Sequence, residues 1–178
     1  MNYYRKRRIF YWCAIGFTVL AGVGMHFAFE FFNKAPFLAW LFPVNESVWE
    51  HLKLLFYPVV IVTALEYGLI KKSRVNIIPL RTWNLLIGMG FIIAAYYTYS
   101  GVIGRDFPVI DMILYLIAAV LVFVLKIPYL EKRKSSITSS DVLWGSVVIL
   151  FFILFVIFSY HPPHINLFLD PATGRYSY

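Results

Sequence analysis

Asn45-Glu46-Ser47-Val48-Trp49-Glu50-His51-Leu52-Lys53 puts two acids, an imidazole and an ammonium at the head of an apolar run that continues to residue 70. Charged groups at membrane depth are costly, so such residues face a bundle interior or a water-filled cavity. The other unusual polar residues of the chain gather at the same level. The stretch therefore sets both the architecture and the place to look for a site.

The 178-residue chain is 61% hydrophobic and 20% aromatic, with a mean hydropathy of +0.73. A soluble domain of this size cannot hide so much apolar surface. Five segments are each close to the roughly 20 apolar residues that a crossing requires. They cover 9–32, 47–70, 78–100, 109–125 and 142–160. The expected fold is all-α, a single integral membrane bundle of five transmembrane helices over residues 1–178, with the tail 161–178 packed over the outer mouth. No internal repeat is visible, so the inverted-repeat signature of many transporters is missing. The N-terminus resembles the front of a signal peptide, but its apolar run is too long and no small-residue cleavage site follows. It is expected to stay as the first membrane helix. Cys13, inside that run, is read as a small buried hydrophobe.

The net charge of +7 does not indicate nucleic acid, because the bases sit in short loops between apolar runs. They are strongly asymmetric. Arg5, Lys6, Arg7, Arg8, Lys71, Lys72, Arg74, Arg81, Lys126, Lys132, Arg133 and Lys134 fall on one side, and only Lys34, Arg105 and Arg175 on the other. Twelve against three places the N-terminus in the cytoplasm and, after five crossings, the C-terminus outside. The bilayer of a bacterial cytoplasmic membrane is the first partner, and a lipid or other small molecule is the expected ligand.

On the first helix Ala14, Thr18, Gly22, His26 and Glu30 recur every four residues, a drifting face whose small members admit a neighbour. On the second, Glu46, Glu50, Lys53 and Tyr57 form one stripe, with His51 turned about 100° away. Ser47 and Glu50 also fit a capping box, and Asn45 can cap the helix. Capping accounts for neither Lys53 nor the combination of Glu46, Glu50 and His51. Glu66 is expected to reach Lys71 or the inner surface, and Gly88 and Gly90 to pack closely. Tyr99 ends the third helix and Asp111 begins the fourth. After the fifth come His161 and His164, which a polyproline-like path through Pro162-Pro163 projects to one side. Asp170-Pro171 marks a turn in the apolar tail.

The stretch from Pro43 to Phe56 resembles a family of small bacterial integral membrane proteins of unknown function. His26-Phe27 with Glu30, Tyr97-Thr98-Tyr99-Ser100-Gly101, and the tail from Pro162-Pro163 to Gly174 are similar to the same pattern. Tyr176-Ser177 departs from it, standing where tyrosine-glycine is expected. The resemblance implies a multi-spanning bacterial membrane protein and carries no activity with it.

The residues themselves suggest three uses. In the first, a metal-dependent hydrolase or transferase acts on a membrane-borne substrate. His26, Glu30, His51 and His161 then hold a divalent metal such as zinc, with Glu46 or Glu50 as general base and Lys53 stabilising negative charge. Asn45, Tyr99, Asp111, His164 and Asp170 line the site. In the second, a transporter or solute-binding component holds its solute at Glu46, Glu50 and Lys53. In the third, a non-catalytic membrane partner uses the same pairs as struts.

Overall fold

The computed structural model describes residues 3–69, 76–126 and 138–176. Five α-helices follow one another: α1 (Tyr3–Phe31), α2 (Val48–Leu69), α3 (Ile77–Ile103), α4 (Pro108–Val124) and α5 (Ser139–Tyr160). Single 3-10 turns occur at Pro36–Leu38 and Asn166–Phe168, and no strand forms among the described residues.

Among the described residues four helices are long and apolar enough to cross a membrane, over Arg8–Phe31, Val48–Gly68, Ile77–Ile103 and Ser139–Tyr160. Over the remaining expected span α4 has 17 residues, the short end of what a crossing requires. Its start is fixed by Pro108, whose preset φ suits the first helical position. The preceding helix stops at Gly104, whose φ of 82° provides the left-handed cap and whose N–H bonds Ser100. These two stops leave a tight connection between α3 and α4.

The most buried helix is α2, with Leu52, Leu55, Phe56 and Val59 at 1% exposure or less. It packs against α1 and α3, while α5 lies mainly along α3 and buries only Phe155 and Ser159. The four-residue row on α1 is a packing face: Ala14, Thr18 and Gly22 are buried. A side chain at Gly22 would run into the Tyr115 hydroxyl. That hydroxyl lies 2.6 Å from the Thr18 carbonyl and 3.3 Å from that of Leu54. Leu54 is the residue whose helical partner is lost at Pro58, inside α2. A hydroxyl from α4 thus serves a carbonyl that the proline frees, and glycine on α1 makes room for it. Gly88 likewise sits tight against Val122 and Leu55, whereas Gly90 faces open space.

The end of the bundle away from Asn45–Lys53 corrects two expectations. Arg81 is not a loop cation but is 2% exposed inside α3. Its Nε donates to Glu66 at 2.9 Å, so Glu66 reaches Arg81 and not the surface. Arg81 Nη1 and Asn84 Nδ2 both donate to the Val122 carbonyl, and the guanidinium lies 4.5 Å from the Tyr11 ring centre. Lys71, Lys72, Arg74, Lys132, Arg133 and Lys134 fall outside the described residues.

The tail returns to the start of α2. Phe168 is buried with its ring 5.1 Å from Trp49 and 5.2 Å from Phe158. Aromatic pairing of this kind fixes a segment that has little regular structure of its own.

Candidate functional site

Two polar clusters form at the end of the bundle where α1 stops and α2 begins. Both draw on the stretch Asn45–Lys53, yet they are built differently.

The first is closed. Lys53 is 0% and Glu50 3% exposed. Lys53 Nζ donates to Glu50 Oε2 at 2.6 Å, to Ser159 Oγ at 2.5 Å and to the Ala39 carbonyl at 2.7 Å, with Phe42 O at 3.4 Å. Glu50 Oε2 also accepts from the Val44 N–H at 2.9 Å, and Ser159 Oγ lies 3.2 Å from Oε1. An ammonium has three protons, and each has an acceptor here. This knot ties the loop 39–44 and α5 to α2. Tyr57, one turn on, adds a bond to the Trp40 carbonyl at 2.5 Å. Half of the expected capping box is present: Ser47 Oγ accepts from the Glu50 N–H at 3.4 Å. The reciprocal half is diverted, because the Glu50 carboxylate goes to Val44 instead of Ser47, whose N–H bonds Asn45 Oδ1.

The second cluster is half-open. Glu46 leaves the stripe that continues through Glu50, since helix α2 starts only at Val48, and its side chain is 54% exposed. It turns to His51, whose Nε2 lies 3.4 Å from Glu46 Oε2. The hydrogen bond from His51 holds the Glu46 carboxyl below its usual range, against the opposing effect of burial. His51 faces away from Glu50, as the helical angle requires, and its ring meets that of His26 on α1 at 5.2 Å. His51 Nδ1 contacts the Ser47 carbonyl at 3.0 Å. A neutral ring protonated on Nδ1 keeps that bond but gives up the hydrogen bond to Glu46, and its Nε2 lone pair is then open to another partner. His26 Nδ1 is buried with no hydrogen-bond partner.

His26, Glu46 and His51 each offer a ligand atom, all within 4.8 Å of one another. Two imidazoles and one carboxylate at that spacing fit a divalent ion, and the carbonyl behind His51 orients its ring as outer-shell partners do. A cavity of about 140 Å³ opens beside them, lined by His26, Glu30, Lys34, Asn45 and Glu46 among others.

The remaining predicted site residues are dispersed. Glu30 lines the cavity but is 75% exposed and lies 3.9 Å from Lys34. Asp111 accepts a hydrogen bond from Tyr99, which in turn accepts from the Phe107 N–H at 3.2 Å. This ties the α3–α4 connection, and Asp111 is close enough to His51 and Glu46 for their charges to act on it. His161 and His164 are exposed, and His164 stacks on Tyr176 at 4.7 Å. The structure brings neither into the His26–Glu46–His51 cluster. Asp170 is buried in its own turn, where it accepts from Ala172 N–H and Thr173 Oγ.

Lys34 and Ser159 have no part in the sequence reading of the site. Ser159 had one available sign: a hydroxyl that ends the unbroken apolar run 147–158. Lys34 had none, because its place in the cavity wall depends on how the chain leaves α1.

The chain belongs to a family of unknown function, DUF6512, whose model matches residues 1–178. No curated protein and no solved structure matches the chain.

Proposed function

We propose that this member of a family of unknown function is an integral membrane protein that binds a divalent metal ion, zinc by its ligand chemistry, at His26, Glu46 and His51. The three ligands leave one position for water or substrate, the arrangement of hydrolytic zinc sites. The use we infer is hydrolysis or group transfer on a membrane-borne substrate. One observation carries it: three ligand atoms from α1, the loop and α2 converge within 4.8 Å at a cavity.

In this reading Glu46 is a ligand and not a base. Glu50 and Lys53 do not touch substrate; they position the loop that delivers Glu46. The lengths and apolarity of α1, α2, α3 and α5 support insertion in a membrane, and α4 would cross with them as a short fifth helix. With Arg81 moved into the bundle, eleven basic residues against three still support a cytoplasmic N-terminus, in a bacterial cytoplasmic membrane.

Metal analysis of the purified chain is the test. The expected result is about one zinc per chain, lost in His26→Ala and kept in His161→Ala, as a three-ligand site requires. No stoichiometric metal at any loading would end the proposal. It would favour the alternative of a non-catalytic partner, for which the sealed Glu50–Lys53 knot is the supporting observation.

A further inference from the structure

The wall of the cavity is mixed. Asn45 and Glu46 stand beside Pro43 and Val44 on the loop side, and on the α1 side His26 and Glu30 stand beside Phe27, which is 61% exposed. Phe31, one turn on, is 80% exposed, and Phe37 across the loop is 71% exposed. Phe27 and Phe31 lie one turn apart at the end of the candidate span Arg8–Phe31, where an apolar helix inserted in a membrane would meet headgroups. Aromatic side chains suit that level.

Lys34 reaches the cavity by an uncommon route. Both Asn33 and Lys34 have a φ of 53°, the left-handed region that non-glycine residues seldom occupy. The Lys34 N–H bonds the Phe29 carbonyl at 2.8 Å and the Asn33 N–H that of Glu30 at 2.9 Å. The end of α1 is thus wound back on itself, which places the lysine in the wall. Its nearest acid is Glu30, in an exposed pair of the kind that contributes little and opens easily.

Resting on the metal reading above, we propose that the cavity takes the phosphodiester headgroup of an anionic membrane lipid, entering sideways past Phe27 and Phe31. A divalent ion at His26, Glu46 and His51, together with Lys34 and Glu30, gives the cavity one net positive charge. A phosphodiester carries one negative charge. Without the ion the same residues carry no net positive charge to hold it, so lipid and metal bind in concert. The acyl chains remain against the aromatic rim, which a soluble headgroup cannot use.

The experiment uses the full chain in neutral detergent and titrates phosphatidylglycerol by native mass spectrometry. Three forms are compared: zinc-loaded wild type, zinc-loaded Lys34→Glu, and wild type stripped with a chelator. Lys34 is exposed, so the variant keeps its fold, which its zinc content confirms. The expected affinity falls about tenfold in the second and third forms, the size expected when the local charge falls by two at a partly exposed site. Glycerophosphoglycerol, the same headgroup without chains, competes weakly. Equal lipid affinity in all three forms overturns the proposal and leaves the metal site standing, provided that zinc is bound. Equal competition by the free headgroup overturns the lateral lipid route. A chain that binds no zinc removes both.

Discussion

The Glu50–Lys53 knot and the His26–Glu46–His51 cluster take their acids from positions four apart, Glu46 and Glu50, yet their surroundings are opposite. In the knot every proton of a fully buried ammonium is taken up, by a carboxylate, a hydroxyl and a loop carbonyl. In the cluster a buried imidazole nitrogen has no partner, one carboxylate is half in solvent, and a cavity lies alongside. Polar residues deep in an apolar chain are therefore not one class. Saturated groups hold segments together, and unsaturated ones next to open space are available to a ligand. The Glu66–Arg81 clamp belongs with the knot: it too is buried and bonded on several sides.

The largest effect expected from this contrast is at Lys53. Lys53→Met leaves Glu50 charged, buried and unpaired, and should destabilise the chain by about 3–5 kcal/mol. Unfolding in detergent micelles, followed by circular dichroism, measures it. Adding Glu50→Gln to that variant should recover much of the loss, because an uncharged amide no longer needs the ammonium. A cost below about 1 kcal/mol for the single variant, the size of a surface pair, would show that the knot is not a strut.

The cluster should answer to metal instead of to truncation. His26→Ala should leave metal-free stability within about 1 kcal/mol of wild type, since the removed imidazole has an unpartnered nitrogen to begin with. Zinc at a hundred times its dissociation constant should stabilise wild type by about 2.7 kcal/mol and the variant not at all. Thermal unfolding with and without zinc separates the two. A zinc-independent loss as large as that of Lys53→Met would put the cluster in the same class as the knot.

Much of this was legible in the sequence, for identifiable reasons. Helix spans follow from apolar length, and the packing face of α1 from its four-residue row, because both depend on local periodicity. The level of the polar residues in the bundle follows from the same counting. Partner choice does not. Glu46 and Glu50 share a stripe on paper, but the helix begins between them, which sends Glu46 to His51 and leaves Glu50 to Lys53. Glu30 and His161 have the chemistry of ligands, yet one lies on the exposed side of α1 and the other in the tail. Arg81 and Asn84, at helical spacing three and six residues beyond the apparent start of a span, did carry a sign of burial. Counting Arg81 with the loop bases hid it.

The smallest effect marks the edge of the half-open cluster. Glu30 sits one turn beyond His26 on the same helix, and by sequence alone it is the better ligand, since the two could reach one ion together. In the structure its carboxylate is outside the group of converging ligand atoms, and its nearest charge is Lys34 at 3.9 Å across an exposed surface. An exposed pair at that distance is worth at most about 1 kcal/mol. Glu30→Gln should therefore change stability by less than that and leave zinc stoichiometry intact, whereas Glu46→Gln should lose the metal. Zinc titration of the two variants side by side draws the boundary. Loss of zinc in Glu30→Gln with retention in Glu46→Gln would move the carboxylate ligand one turn up α1, and the cavity with its rim would then be the coordination site itself.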